Sequence, residues 1–214
     1  MVSSVAYNFS VIKNKMTELN GVDYIGLSSS ELHGRNFDQE TSRSAVGQPI
    51  GSFFVYEADG LFQSDAEIQN YKNDRGELLQ PNAKPGDIRF KDLNGDGVIN
   101  SDDRDFKGNP LPDCSMGLTL GFNYKNFDVS AFFQGVFGNE VYNLTNYLGE
   151  FYNQAQYNKN STILDAWRPD NTDTDIPRVT LDDPNNNIRP STYYIHNASF
   201  VRFKELKGGV YTTG

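Results

Sequence analysis

The chain has one cysteine, Cys114, in 214 residues. An internal disulfide and a thiolate metal cluster are therefore excluded, and Cys114 reads as a buried or strand-borne free thiol. Histidine is scarce too. His33 and His196 are far apart and each has polar neighbours, which suits surface or interface positions better than catalysis. No Gly-x-Ser-x-Gly nucleophile motif occurs. No window approaches the roughly 20 apolar residues of a membrane helix. That excludes a helical membrane protein but not a β-barrel, whose strands are only about 9–11 residues long and half polar. Met1-Val2-Ser3-Ser4 lacks a basic start followed by an apolar run, so no signal peptide is expected at this start. Positive charge is the minority: 19 Lys and Arg stand against 28 Asp and Glu, for a net charge of −9. Nucleic acid is not an expected partner for such a chain.

What is present is acid in blocks, and aromatics. The acids concentrate between Asp87 and Asp105 and between Asp165 and Asp183. Aromatics are 13% of the chain, mostly Phe and Tyr, which favours strands. The most ordered motif is Asp92-Leu93-Asn94-Gly95-Asp96-Gly97-Val98-Ile99-Asn100-Ser101-Asp102-Asp103. Numbered from Asp92, oxygen-bearing side chains fall at positions 1, 3, 5, 9 and 12: Asp92, Asn94, Asp96, Asn100 and Asp103. Gly97 holds position 6, where an EF-type loop turns sharply, and Val98 at position 7 offers its carbonyl. A hard cation such as Ca²⁺ takes about six to eight oxygens, and this loop supplies them. Position 12 is Asp rather than Glu, which shortens its reach, and the flank Pro85 to Phe90 reads as a turn and a short strand rather than a helix. The expectation is one EF-like calcium loop, within residues 85–105, in a β context. The bland alternative is an Asx-rich turn.

Elsewhere the pattern is period two. Val5, Tyr7, Phe9 and Val11 alternate with small or polar residues, predicting a strand over 3–12. Residues 21–46 read as a long loop with a short strand near Tyr24–Leu27. Residues 47–56 open a second β segment. Ser64, with Glu67 three residues on, signals a short helix ending before Asn73. The clearest pair is Met116, Leu118, Leu120, Phe122 and Tyr124 followed, after a tight Lys125-Asn126 turn, by Phe127, Val129, Ala131, Phe133 and Phe137; Phe132 and Val136 blur the second alternation. Residues 138–196 form a long polar tract, and a last strand runs from about Ser199 to Tyr211. Alternation alone fits a soluble sandwich as well as a barrel. Two features favour the barrel: one very short turn opposite very long connections, and Tyr124, Phe127 and Phe137 placed as an aromatic girdle. Four to six strands are too few to close a barrel, which needs about eight.

Several motifs in series, Gly47-Gln48-Pro49-Ile50-Gly51-Ser52-Phe53, Asp59-Gly60-Leu61-Phe62-Gln63, Pro85 through Gly97, Gly108-Asn109-Pro110-Leu111-Pro112 and Phe127 through Gly135, run in an order that resembles the SusC/RagA family. These are TonB-dependent outer-membrane transporters of Bacteroidetes-type bacteria. Tyr193 through Lys204 is similar to a late barrel strand of that family. The resemblance implies an all-β fold: a partial transmembrane antiparallel β-barrel, residues 1–214 forming its C-terminal part, with long extracellular loops, one of them the calcium loop. It further implies uptake of glycans or peptides, a SusD-like surface lipoprotein as partner, TonB drive of the full-length protein, and contact with outer-membrane lipid. The plug, the energy-coupling box, the first barrel half and the last strands are not matched, so the chain reads as a fragment. Calcium (bound by Asp92, Asn94, Asp96, Val98, Asn100 and Asp103) is expected to be structural.

Two other classes remain open at this level. One is a soluble calcium-stabilised β module binding carbohydrate or protein; Asp92–Asp103 also resembles a single dockerin loop. The other is an enzyme such as a glycosidase, but no carboxylate pair is legible and the acids sit in solvating tracts, so no enzyme is expected. Trp167 and Tyr142, Tyr147, Tyr152 and Tyr157 are placed to stack on sugars or, more commonly, to pack.

Overall fold

A computed structural model describes residues 2–28, 40–150 and 158–211. Four long strands form one antiparallel sheet: β1 (Val2–Val11), β8 (Cys114–Tyr124), β9 (Phe127–Phe137) and β12 (Phe200–Val210), in the order β1-β8-β9-β12. Each has 10 or 11 residues, the length of a tilted membrane-crossing strand. The turn between β8 and β9 is Lys125-Asn126, with Lys125 at φ 51, as a two-residue hairpin requires. No described helix is long and apolar enough to cross a membrane.

The register sorts the side chains into two faces. One row runs Tyr7–Leu118–Phe133–Phe203, the next Val5–Leu120–Ala131–Leu206. Among the described residues, nothing covers this face: Val5 is 70% exposed and Phe203 57%. The opposite rows are small or polar, Asn8–Gly117–Gln134–Arg202 and Ser4–Gly121–Ser130–Lys207. Phe132 and Val136 lie in rows of this second face, paired with Glu205 and Phe200, so the alternation of β9 is intact. In β12 a bulge between Phe203 and Glu205 absorbs Lys204. It is needed because the apolar residues change phase, from Val201 and Phe203 to Leu206 and Val210. The extra residue returns Leu206 to the apolar face.

The long connections are not structureless. Residues 12–113 and 138–199 both leave and rejoin the same end of the sheet. The first holds β2 (Tyr24–Ser28), β3 (Glu40–Ala45), β4 (Ser52–Tyr56), β5 (Ala58–Leu61), α1 (Asp65–Asn70), β6 (Ile88–Phe90) and β7 (Arg104–Phe106). The second holds β10 (Glu140–Tyr142), α2 (Leu144–Glu150) and β11 (Ile195–Asn197). Strands β2-β3-β4-β7 form one sheet, while β5-β6 and β10-β11 form two ribbons. The Ser64 cap is realised: its Oγ accepts the Glu67 N–H, while the Glu67 carboxylate reaches back to the Gln63 N–H.

The two excursions share one core. Leu61, Ile88 and Phe90 from the first pack with Tyr147, Trp167, Ile188 and Tyr194 from the second. Phe90 and Tyr194 have no exposed surface. The apolar interior of the molecule therefore lies in this module, and the long sheet contributes none of the described core.

Candidate functional site

The Asp92–Asp103 loop leaves the end of β6 and re-enters at β7, which pairs with β4 through Phe54–Phe106 and Tyr56–Arg104. Its turns are made by side chains binding their own backbone. The Asp92 carboxylate accepts the N–H groups of Gly95 and Gly97, each at 2.8 Å. Asn94 accepts the Asp96 N–H and Asp96 the Val98 N–H, at 2.8 and 2.9 Å. Gly95 and Gly97 have φ 73 and 89, where a β-carbon is disfavoured. At Gly97 a β-carbon would also lie 2.7 Å from the Asn73 Nδ2, which donates to the Gly97 carbonyl.

The second half is a capping box. Asn100 accepts the Asp102 N–H, and Asp103 accepts the Asn100 N–H at 2.7 Å. Asp103 also accepts the Leu93 N–H at 2.8 Å, which ties the end of the loop to its start. It has no exposed surface. Asp92, Asn94, Asp96, Val98, Asn100 and Asp103 are therefore in one wound loop, with a short 3-10 turn (Ser101–Asp103) in place of an exiting helix. The donors are all oxygens, suited to a hard cation, and each carboxylate has about four lone-pair sites, more than the N–H bonds occupy. The carboxylates do not converge: among the described residues, no three acidic, histidine or cysteine side chains are grouped to hold a metal.

Two clamps fix this loop to the module. Glu57 takes both Lys91 and Lys107 as ion-pair partners, and the hydrogen bond from Lys107, then that from Lys91, holds its carboxyl below the ordinary value. Arg189 stacks over the rings of Phe90 and Tyr56, at 4.5 and 5.1 Å. Burial pushes its guanidinium down, opposed by Tyr56 and by the Asp183 and Asp103 carboxylates.

Beside the loop lies a buried polar network. Strand β6 lacks a full set of strand neighbours, and amide side chains supply the missing bonds. Asn187 Oδ1 accepts the Ile88 N–H, Gln80 Oε1 accepts the Phe90 N–H, and the Ile88 carbonyl accepts from both Gln80 and Asn185. Asp87, fully buried, accepts from Arg178 at 2.6 and 3.1 Å, from Asn187, and from the Lys84 N–H. Gly86 must be glycine: at φ 88, a β-carbon would lie 2.5 Å from the Trp167 ring. The network escapes a reading by motif because its members span Gln80 to Asn187. Its only local signal is the run Asp183-Pro184-Asn185-Asn186-Asn187, polar residues too many for an ordinary turn.

Other candidates resolve as packing or surface. Tyr142 and Tyr147 face Tyr194 at 5.4 and 5.8 Å within the core, and burial raises all three phenols. Trp167 is buried, its Nε1 donating to Gln63. His196 is exposed opposite Val141. His33, Tyr152 and Tyr157 lie outside the described residues.

No protein-family model matches the chain. Curated relatives do. TonB-dependent receptor P3 of Formosa agariphila is 36% identical over 206 residues, 96% of this chain and 19% of that protein. TonB-dependent receptor SusC of Bacteroides thetaiotaomicron is 28% identical over 209 residues, 96% of this chain and 18% of that protein. A solved structure described as the RagAB peptide transporter superposes with a TM-score of 0.64, at 24% identity, over 96% of this chain and 20% of that one; this is a likeness of fold. The chain thus spans about a fifth of the length of the relatives it matches. Matched along nearly its whole length to such receptors in sequence and in fold, the chain is a SusC/RagA-like stretch of a TonB-dependent receptor.

Proposed function

We propose that this chain forms four wall strands and part of the outer cap of an outer-membrane importer. The observation that carries it is the long sheet: 10- and 11-residue strands with one continuous, uncovered apolar face and one small or polar face. Water penalises such a face, whereas lipid does not, and the polar face suits a lumen. The two-residue turn then belongs to the periplasmic side and the folded module to the outside. The soluble-module alternative is disfavoured because it would need this face covered.

The whole receptor, on this reading, is driven by TonB and works with a SusD-like lipoprotein over the cap. Its cargo is a peptide or a glycan; the peptide named for the RagAB structures favours neither for this chain. The test is localisation and uptake. Cells carrying the full-length receptor are expected to hold it in the outer membrane as a heat-modifiable barrel, and uptake of labelled oligopeptides or oligosaccharides should cease without TonB. Recovery as a water-soluble monomer would overturn the proposal.

The Asp92–Asp103 loop takes calcium in the same proposal, as a structural ion. Asp92, Asn94, Asp96 and the Val98 carbonyl would hold it, with Asn100 and Asp103 closing the loop. External calcium at millimolar level suffices for a site as weak as about 10⁻⁴–10⁻³ M. Calorimetry of the receptor is expected to show calcium binding that Asp96→Ala abolishes. Absence of any heat would remove the ion while leaving the transport reading intact.

A further inference from the structure

The end of the sheet that meets the module has two unassigned features, one charged and one apolar. Lys13 and Lys15 directly follow β1, and both are exposed. The chain's net charge is −9, yet neither lysine forms an ion pair with a described residue. They line a recess of ≈ 450 Å³ together with Ile12, Pro49, Pro112 and Asp113. Asp113 is the one acid in its lining, and its carboxylate lies against Gly138. The recess therefore carries a surplus of positive charge.

On the apolar face of the same strands is a depression of ≈ 310 Å³ bounded by Tyr7, Met116, Leu118, Phe133, Gly135 and Val201. Gly135 helps keep it open: a β-carbon there would lie 2.8 Å from the Met116 Cε and 2.7 Å from the Phe137 ring. Phe9, which pairs with Met116 beside the depression, lies four residues before Lys13, a reach of at most ~13 Å at ~3.3 Å per residue. One leaflet offers about 15 Å of hydrocarbon depth. A headgroup at the lysines thus places its acyl chain at the level of the depression.

We propose that the recess and the depression together hold one anionic lipid of the outer leaflet. Lys13 and Lys15 take its phosphate-bearing headgroup, and an acyl chain fills the gap at Gly135. The proposal rests on the reading that the apolar face meets lipid. A protein partner would have to bring both acids and an apolar ridge to a surface continuous with the bilayer, whereas one lipid molecule meets both demands.

The experiment is native mass spectrometry of the full-length receptor in mild detergent, titrated with phosphatidylglycerol or with phosphatidylethanolamine. The wild type is expected to retain phosphatidylglycerol preferentially. Lys13→Gln with Lys15→Gln should erase that preference, by about fivefold per lysine. Gly135→Val, which fills the depression, should weaken retention of both lipids. Both lysines are exposed, so their replacement is expected to leave the fold unchanged. A membrane-inserted receptor whose double variant keeps its preference overturns the site alone. So does inorganic phosphate that displaces the headgroup preference while the Gly135→Val variant retains lipid like the wild type. A receptor that binds neither lipid and stays soluble without detergent overturns the membrane reading and the site together.

Discussion

Asp87 and Arg178, 91 residues apart in the chain, meet in a two-armed ion pair whose carboxylate is wholly buried. The pair joins the two excursions above the sheet. Removing the guanidinium leaves a buried charge with only neutral donors. Arg178→Leu is therefore expected to cost about 3–5 kcal/mol, read as a lower melting temperature and faster proteolysis of the module. Arg178→Lys should recover only part, because a lysine lacks the fork. Protease resistance unchanged in Arg178→Leu would show that the pair holds nothing together.

Glu57 predicts a pH dependence. Its carboxyl is held below its ordinary value of 4.5 by Lys107 first and Lys91 second. A lowered folded value means that the ion pairs stabilise fully above 4.5 and fade as pH falls through the folded value. Glu57→Gln should accordingly lower the melting temperature at about pH 7, and that penalty should shrink as pH falls below 4.5 through the lowered folded value. A penalty that stays constant as pH falls would point to shape rather than charge.

Leu118 and Thr119 are neighbours on opposite faces of β8. Leu118→Arg is expected to cost about 2–4 kcal/mol of insertion stability, the figure for a charge at the lipid midplane. Thr119→Arg, on the polar face, should cost well under half of that. Refolding of the full-length receptor into bilayers, scored by heat-modifiable migration, compares the two. Equal yields would contradict the assignment of the faces.

Gly97 tests the wound loop. Gly97→Ala forces a side chain to φ 89 and against Asn73, a strain of about 1–3 kcal/mol. Calcium affinity by calorimetry should fall about 5- to 150-fold if that strain is borne by the bound loop. An unchanged titration would mean that the loop binds calcium in some other conformation, or not at all.

Much of the fold was legible because period two is robust over ten residues. β1, β8, β9, their turn and the extent of β12 follow from alternation, and the short helix follows from Ser64 and Glu67. The β12 bulge was missed because a one-residue phase change at Lys204 resembles noise. Strands β3, β7, β10 and β11 were missed for a different reason: each is short, and its pairing is set by tertiary contact rather than by pattern. The wound loop was read in place from its spacing, since Asx turns and glycines are local. The Asp87 network was invisible, because an ion pair across 91 residues leaves no periodic trace.

Ile88 and Phe90 come from one chain excursion, Trp167 and Tyr194 from the other, and all four share a core. Each excursion is also rooted in the sheet at both its ends. A protease that nicks a single surface turn therefore severs a covalent bond without releasing a piece. The cleaved receptor should keep its cap through reversible contacts alone, and only denaturant should let the halves part on a gel.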